Sequence, residues 1–279
     1  MISIVIPVHN RKTFTRNCLV SLKNQTLPAD FVIVVDDGST DGTDELLRDE
    51  FPEVIVLKGD GSLFWTASIN VGIKKALRLG SDYILTLNND TIASPHLLEG
   101  MIKVAEQNPR ALFGALDIDS ASGKPYYGGE IFYWEKGSSE FLLDVLPEHQ
   151  QHGLREVSLF PARGLFIPRC VFETIGLFEE EQLPHYMADY DFTLMAIRHG
   201  FKVYCNYEVW IYTYPEEGGD HKIRKQKTIG NYFRHLFAIK GGGNLVNYTV
   251  YTLRNCPRKY VFFALLTGFA RRLAGFWIK

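Results

Sequence analysis

Apolar runs and amphipathic segments alternate over the first 110 residues. Four short runs rich in β-branched residues are typical of strands: "SIVIPV", "FVIVVDD", "EVIVLKG" and "DYILTLNND". Helical periodicity separates or follows them at residues 13–24, 39–51, 66–80 and 94–108. Strands that alternate with helices are typical of βαβ units, in which helices cover both faces of a parallel sheet. The pattern therefore predicts an α/β fold.

Polar and small residues predict where these helices begin and end. Ser39 or Thr40 would cap the second helix, because each precedes an acidic first turn. Ser94 would cap the fourth helix, with Pro95 at its first position. Gly80 would end the third helix.

The alternation of strand-like and helical segments changes after residue 110. Strand-like runs joined by Gly-rich turns occur at "ALFGALDID", "KPYYGGEIFYW" and "EVSLFPARGLFIP", and "KVYCNYEVWIY" predicts a further strand. Helical patterns occur at "RCVFETIGLF" and "MADYDFTLMAIRHG". Mixed strands of this kind predict that the second half continues the same sheet. We therefore predict one domain over residues 1–220, with halves 1–110 and 111–220. A basic, helical region would follow over residues 221–279, interrupted by "KGGGN" at 240–244.

The composition indicates a folded, acidic body with a basic tail. Hydrophobic residues form 46% of the 279-residue chain, which is enough for a sizeable core. The net charge is −2, but residues 222–279 hold twelve Lys or Arg and no Asp or Glu. The rest of the chain holds 18 basic and 32 acidic side chains, a net charge of −14. This asymmetry predicts that the tail meets an anionic surface, and nucleic acid is not expected because no recognised binding module is present.

The cysteines and the N-terminal segment predict a cytoplasmic protein. Four widely spaced cysteines without a CxxC pair predict buried, reduced thiols, since framework disulfides belong to small secreted chains. The segment "MISIVIPVHN" has no basic region and no cleavage site, so it is typical of a first strand and not of a signal peptide. No run of 18 apolar residues occurs, so no spanning helix is expected.

Residues 257–279 resemble an interfacial amphipathic helix. Arg271 and Arg272 interrupt the apolar run, and the eleven residues 260–270 are too few to cross a bilayer. Anionic lipid would attract the positive charges, which predicts a peripheral position on the inner face of the cytoplasmic membrane. Packing of this helix on the body or in a homodimer interface is the alternative.

Polar residues cluster where three of the predicted strands end. His9 and Asn10 follow the first strand, Asp36 and Asp37 end the second, and "NND" at 88–90 ends the fourth. The carboxyl ends of parallel strands share one edge, where open sheets bind their ligands. Each group alone fits a turn, a cap or a loop residue, but their coincidence at one edge favours a binding site.

The ligand chemistry at this edge predicts a divalent cation. Neither GxxxxGKS/T nor GxGxxG follows the first strand, so no glycine loop is available to cradle phosphates. A polyphosphate held without such a loop needs a cation. Carboxylate and amide oxygens suit a hard ion such as Mg²⁺ or Mn²⁺.

Five motifs in order over residues 2–215 resemble the family-two inverting glycosyltransferases with the GT-A fold. They are "SIVIPVHNR", "VIVVDDGSTDGT", "NVGIKKAL", "LNNDT" and "ADYDFTLMAIRHGF". The segment "GDGSLFWTASINVGI" is most similar to the branch with bacterial rhamnosyltransferases and other cell-surface polysaccharide enzymes. The resemblance implies a Rossmann-like, mostly parallel sheet. It also implies non-processive sugar transfer from a UDP- or dTDP-linked donor to a saccharide acceptor, which the basic tail suggests is lipid-linked.

The resemblance also implies which residues bind the donor and the metal ion. The donor set comprises Pro7, Val8, His9, Asn10, Asp36, Asp37, Asp60, Asn70, Asn88 and Asn89, with Trp65 either stacking near the donor or packing in the core. "NND" replaces the family's DxD motif, so Asp90 would ligate Mg²⁺ or Mn²⁺ and Asn88 would add an uncharged oxygen. His221 is the nearest later candidate for a further metal ligand.

The segment "MADYDF" resembles the family's ED-x-D motif, which carries the catalytic base. Asp189 falls on the base, and Asp191 is the alternative because Ala188 stands where the family has Glu. Arg163, Gly164, His185 and Tyr186 would lie on the acceptor side. The competing hypotheses are a non-catalytic scaffold with the same fold and a sugar nucleotidyltransferase.

Overall fold

The computed structural model describes residues 1–217 and 219–278. Its strands are β1 (Ile2–Val8), β2 (Phe31–Asp37), β3 (Ile55–Gly59), β4 (Tyr83–Thr86), β5 (Ile92–Ala93), β6 (Ala111–Asp119), β7 (Pro125–Tyr127), β8 (Glu130–Tyr133), β9 (Ser138–Phe141), β10 (Leu154–Val157), β11 (Leu165–Pro168) and β12 (Lys202–Thr213). Its α-helices are α1 (Lys12–Lys23), α2 (Thr43–Glu50), α3 (Phe64–Arg78), α4 (Leu97–Gln107), α5 (Leu142–Val145), α6 (Arg169–Ile175), α7 (Ala188–Arg198), α8 (Gly219–Arg224), α9 (Ile229–Phe237), α10 (Leu245–Asn255) and α11 (Val261–Ile278).

One mixed sheet joins the two predicted halves, in the order β10–β12–β6–β11–β4–β1–β2–β3. Strands β4, β1, β2 and β3 are mutually parallel, as are β6 and β12. Strand β11 lies antiparallel between β4 and β6 and so connects the two parallel parts. The predicted α/β fold with a continuous, mostly parallel sheet is confirmed.

The register of the parallel strands aligns their carboxyl ends. Val8 at the end of β1 pairs with Asp36, and Asp37 at the end of β2 pairs with Gly59. Beyond the end of β4, the Leu87 N–H donates to the Val5 carbonyl at 3.0 Å. The polar residues after β1, β2 and β4 therefore lie at one edge of the sheet.

Alternate residues of each strand pack into two hydrophobic layers, one on each face of the sheet. In β1, Val5 packs into the layer that contains α3 and α7, whereas Ile4 and Ile6 pack into the layer that contains α1 and α4. All of these side chains are fully buried. This alternation follows from the two-residue period of a strand, and it fixes which side chains of each strand can reach the edge.

Two helix starts differ from the sequence prediction. Helix α4 begins at Leu97 after His96, because Ser94 is tied to β12, where its Oγ accepts the Trp210 N–H at 3.3 Å. Helix α2 begins at Thr43, three residues after Thr40 and four after Ser39, the two predicted caps. The Asp41 carboxylate accepts the Thr43 N–H at 3.2 Å. Tertiary contacts of the predicted caps outweigh the local capping preference.

The C-terminal region is anchored to the body through helix α7. The fully buried Asp191 carboxylate accepts from Arg254 Nε at 3.0 Å, Arg254 Nη2 at 3.1 Å and Asn255 Nδ2 at 2.6 Å. Arg254 also pairs with Glu179 at 2.9 Å. As predicted, residues 240–244 separate two helices, α9 and α10. The C-terminal helices are therefore packed on the body, and Asp191 is one of the residues that hold them there.

Arg254→Ala should lower the free energy of unfolding by about 2–4 kcal/mol, because the buried Asp191 carboxylate would lose its bidentate partner. Arg258→Ala, an exposed arginine of the same region, is the matched control and should change it by less than about 0.5 kcal/mol. Urea denaturation measures both variants. Equal stability of the two would contradict the anchoring role of Asp191.

Candidate active site

A cavity of about 500 Å³ opens at the carboxyl edge of β1, β2 and β4, and we call it the main cavity. Its wall contains many of the residues that the sequence predicted for binding or catalysis: Pro7, Val8, His9, Asp37, Trp65, Asn88, Asn89, Asp90, Arg163, His185, Tyr186 and Asp189. The two halves of the domain both contribute to this list. The sheet therefore gathers residues from distant parts of the chain around one space.

Asp37 occupies a fixed position in the cavity wall. Its Oδ1 accepts the Gly61 N–H at 2.8 Å, and its Oδ2 accepts the Leu63 N–H at 3.1 Å. Its carbonyl accepts from His9 Nδ1 at 2.5 Å, which orients the imidazole. A Cβ at Gly59 would come within 2.5 Å of Asp37 Oδ1, so glycine is required beside it. The carboxylate is thus held between the end of β2 and the loop before α3.

Four residues predicted for the donor pocket do not line the cavity. Asn10 accepts the Thr40 N–H at 2.9 Å and holds the loop after β2. Asp36 is buried and paired with Lys58 at 3.0 Å. Asp60 is exposed, and hydrogen bonds from Ser62 lower the pKa of its carboxyl. These three side chains stabilise loops and strand ends, and they do not line the cavity wall.

Asn70 is the fourth residue outside the cavity, and its placement has a physical reason. Its Nδ2 donates to the Phe178 carbonyl at 2.8 Å and to Glu180 at 2.6 Å, and its Oδ1 accepts the Phe178 N–H at 3.1 Å. These bonds satisfy a buried amide and tie α3 to residues 178–180. Asn70 is therefore a structural residue, and its predicted contact with the donor is not supported.

Trp65 and the amides of "NND" form a connected group on one side of the cavity. Trp65 Nε1 donates to Asn88 Oδ1 at 2.9 Å, and its ring packs edge-on against Phe178 with centroids 5.8 Å apart. Asn89 Nδ2 donates to Thr15 Oγ1 at 3.0 Å. Trp65 thus packs on the core and also lines the cavity, and its stacking near the donor stays a prediction.

Arg11 is a cavity residue that the sequence analysis missed. Its Nη1 lies 2.5 Å from Asp90 Oδ2, and its Nη2 donates to the Glu217 carbonyl at 2.6 Å. Asn10 and Arg11 both have left-handed backbone conformations, with φ of 60° and 67°. Such conformations are uncommon outside glycine and recur at functional sites. The signal in the sequence was the arginine directly after "PVHN".

The candidate metal ligands are not gathered around one point. Among residues 1–217 and 219–278, no cluster of three His, Cys, Asp or Glu side chains could hold an ion. Asp90 is paired with Arg11, and Asn88 Oδ1 accepts from Trp65. His221 is exposed on α8 and does not line the cavity, so its predicted role as a ligand is not supported. Asp90 is the acidic ligand that remains.

Asp189 lies where the main cavity meets a second one. The second cavity, also about 500 Å³, has a wall rich in aromatic side chains, and it shares Tyr126, Pro161, Arg163, Tyr186 and Asp189 with the main cavity. Burial raises the pKa of the Asp189 carboxyl to about 6, although the Tyr190 N–H donates to it at 2.9 Å. A carboxylate with this pKa is ionised at neutral pH and can still accept a proton. Asp191 faces Arg254 instead and is excluded as an alternative base by its buried pairing.

Arg163 and His185 lie in the cavity wall with Asp189, and Arg163 partly offsets the effect of burial by lowering the pKa of the Asp189 carboxyl. Arg163 Nε pairs at 2.6 Å with Asp117, a fully buried carboxylate whose pKa burial raises to about 6. His185 is kept neutral, because burial and then the nearby Lys240 lower its pKa to about 4. Gly164 lies outside both cavity walls, in a left-handed conformation with φ 75°. Its part is to turn the chain after Arg163, not to contact a ligand.

Several wall residues come from segments that carried no motif. Tyr126 and Tyr127 belong to β7, which the sequence marked only as a strand. Lys240 lines the main cavity and Gly242 the second, both from the loop between α9 and α10. The "KGGGN" break was visible in the sequence, but its position beside the cavities depends on tertiary packing.

Comparison with known sequences identifies the family. The model for glycosyl transferase family 2 matches residues 3–162, more than half of the chain. An uncharacterized glycosyltransferase of Rickettsia typhi is 27% identical over 219 residues, which cover 76% of this chain and 63% of that protein. The glycosyltransferase GlyA of Streptococcus pneumoniae is 25% identical over 183 residues, which cover 62% of this chain and 25% of that protein. The chain therefore spans less than two thirds of the length of these relatives.

Solved structures share the architecture of this chain. S. aureus TarS superposes with a TM-score of 0.59 at 16% identity, over 99% of this chain and 72% of that chain. The mannosyltransferase PcManGT from Pyrobaculum calidifontis, in complex with GDP-Man and Mn²⁺, gives a TM-score of 0.61 at 14% identity, over 97% of this chain and 69% of that chain. At these identities the similarity shows the fold alone. The sheet, the ordered motifs and the family match lead to one conclusion: this chain belongs to glycosyl transferase family 2.

Proposed function

We propose that the protein transfers a sugar from a nucleoside-diphosphate sugar, UDP- or dTDP-linked, to a hydroxyl of a lipid-linked saccharide in cell-surface polysaccharide synthesis. The observation that carries this proposal is the position of Asp189 between two cavities. One cavity would hold the donor, and the other would hold the acceptor. A base at their junction is where a transfer reaction between two substrates needs it.

The main cavity is the proposed donor site. Each oxygen of the Asp37 carboxylate accepts one backbone N–H and keeps a free lone pair, which can accept the N3–H of uracil or thymine. Arg11 presents a guanidinium on the same wall, and this group suits phosphate oxygens. These two residues would bind opposite ends of the nucleotide.

The second cavity is the proposed acceptor site. Tyr126, Tyr127 and Tyr190 supply flat apolar faces with polar edges, which suits a sugar ring. An acceptor hydroxyl beside Asp189 would lose its proton to the carboxylate as its oxygen attacks the anomeric carbon in the main cavity. Attack from the face opposite the leaving diphosphate breaks the glycosidic C–O bond in one displacement and inverts the configuration.

A divalent cation fits this site only through Asp90. Mg²⁺ is commonly held by one or two carboxylates together with substrate phosphates, so a single aspartate can suffice. Asp90 would hold the ion, and Arg11 would have to release that carboxylate first. When bound, the ion would neutralise charge on the leaving diphosphate. The Mn²⁺ in the complex of PcManGT supports this assignment by analogy.

Asp189→Asn should lower the turnover number by about 10²–10⁴-fold, because the amide cannot accept the acceptor's proton. The affinity for the nucleotide should stay within about twofold, since Asp37 and Arg11 are untouched. Asp60→Asn, at an exposed aspartate outside both cavities, is the control and should retain turnover. Unchanged turnover in Asp189→Asn would rule out Asp189 as the base.

The rate should depend on pH in the range set by the Asp189 carboxyl. Its pKa is raised to about 6, and the base acts only when ionised, so kcat/KM should be constant above about pH 7. Below about pH 6 it should fall, approaching tenfold per pH unit. A pH–rate profile between pH 5 and 8 measures this. A rate that does not change over this range would contradict the assignment.

Arg11→Gln should tighten Mn²⁺ binding in the absence of nucleotide roughly three- to tenfold, because Asp90 would lose the cation that pairs with it in the ligand-free protein. Electron paramagnetic resonance of free Mn²⁺ measures this without any turnover. Arg16→Gln, at an exposed arginine of α1, is the matched control and should leave the affinity unchanged. Equal affinity in all three proteins, or no Mn²⁺ binding by any of them, would contradict the role of Asp90.

A further inference from the structure

Helices α9 and α11 expose large apolar side chains that no part of the described chain covers. On α9 these side chains follow helical spacing, at Ile229, Phe233 and Phe237, and each is more than half exposed. On α11 they are Phe262, Leu266, Leu273 and Trp277, and Phe262 is 81% exposed. The two helices are in contact through Tyr232, whose ring lies 5.4 Å from that of Trp277. We call these seven residues the C-terminal apolar surface.

The opposite face of α11 packs on the body and keeps the helix flat against it. Ala264, Gly268 and Phe276 are buried. The Tyr248 hydroxyl of α10 donates to the Ala264 carbonyl at 2.7 Å, and a Cβ at Gly268 would lie 2.1 Å from the same hydroxyl oxygen. Arg271 donates to the Gly137 carbonyl at 2.5 Å, which adds a contact with the body. Helix α11 thus has one face for the protein and one face for solvent or a partner.

By length and composition, Arg258–Ile278 could cross a membrane, contrary to the expectation from the sequence. Only 17% of an 18-residue apolar window in this stretch is buried, so it is not a core helix. Crossing would require α11 to abandon Tyr248 and Gly137 and to carry Arg271 and Arg272 into hydrocarbon, which is unfavourable. An orientation in the plane of a bilayer keeps every one of these contacts and still buries the apolar face.

Charge indicates the chemistry of the partner. Exposed bases lie beside the apolar side chains, at Lys225 and Arg234 near α9 and at Arg258 and Lys259 before α11. Residues 222–279 contain no acidic side chain, whereas the rest of the chain carries a net charge of −14. An anionic surface would therefore attract this region and repel the body, which orients the molecule.

The loop between α9 and α10 connects the C-terminal apolar surface to both cavities. Two residues beyond the stripe on α9, the exposed Ile239 precedes Lys240, which lines the main cavity. Gly242 of the same loop lines the second cavity. A surface bound along α9 would thus lie next to a loop that lines both cavities.

We propose that the C-terminal apolar surface docks on an anionic lipid bilayer, with α9 and α11 lying in the membrane plane. When the protein is docked in this way, the second cavity receives a saccharide whose lipid carrier stays in the bilayer. This assignment rests on the proposed function. The α9–α10 loop then lies between the lipid surface and both substrates.

Flotation of the full-length protein with vesicles tests the docking. Phosphatidylcholine vesicles with phosphatidylglycerol should bind the protein at least tenfold better than pure phosphatidylcholine vesicles, and 0.5 M salt should release it. The double variant Leu266→Glu with Trp277→Glu should lose at least tenfold in binding. Val145→Glu, at a residue of the body that is 52% exposed, is the matched control and should bind like the parent.

The charge contribution is tested with a second pair of variants. Arg258→Glu with Lys259→Glu should weaken binding severalfold and reduce its salt dependence, whereas Lys103→Glu, at an exposed lysine of α4, should not. Equal binding to neutral vesicles, resistance to salt, or equal loss in the controls would overturn the proposal. A dimer in light scattering that Leu266→Glu dissociates, without vesicle binding, would show that a second copy covers the surface and would also overturn it.

Nucleotide binding separates this proposal from the proposed function. The variants of α11 should keep the thermal shift that UDP or dTDP gives in the parent protein, because neither substituted residue lines a cavity. Vesicle binding without any nucleotide shift would reject the transferase function and leave the docking surface intact. A nucleotide shift without vesicle binding would reject the docking surface and leave the transferase function intact.

Discussion

The register of three parallel strands determines where the chemistry of this protein can occur. Because β1 pairs in parallel with β2 and β4, the residues that follow each strand emerge at one edge. A slip of one residue would turn the alternating side chains to the other face and disperse the cavity wall. Asp37 then connects this edge to the loop before α3 through two backbone hydrogen bonds. The main cavity is thus a consequence of strand pairing reinforced by one carboxylate.

Helix α7 connects this edge of the sheet to the C-terminal helices through two aspartates. One of them faces the cavities and the other faces α10. Asp189 faces the cavities, where burial raises the pKa of its carboxyl to about 6. Asp191 faces α10, where its side chain accepts hydrogen bonds from Arg254 and Asn255. One aspartate can exchange a proton, and the other anchors the C-terminal helices that carry Lys240 and Gly242 to the cavities. Removing the anchor would therefore disturb the substrate openings as well as the stability of the fold.

The sequence predicted the elements, the sheet and the edge, because periodicity and motif order depend on local information. It placed Asp37, Asp90 and Asp189 in the cavity wall for the same reason. It did not show which polar groups bind partners far along the chain: Asn70 is bound by residues 178–180, and Asp191 is bound by Arg254. Composition likewise indicated a basic, apolar tail, but only the packing of α11 on Tyr248 separates its buried face from its exposed face.

The measurement that tests the central claim most directly is a thermal-shift series with UDP, dTDP, GDP, CDP and their sugar conjugates, each with Mn²⁺, Mg²⁺ or EDTA. A ligand that binds the native state raises Tm by mass action. A selective rise with UDP or dTDP and their conjugates, larger with a metal ion than with EDTA, is the predicted result. No rise with any nucleotide under any condition would contradict the account, and a non-catalytic scaffold with this fold would then be the better interpretation.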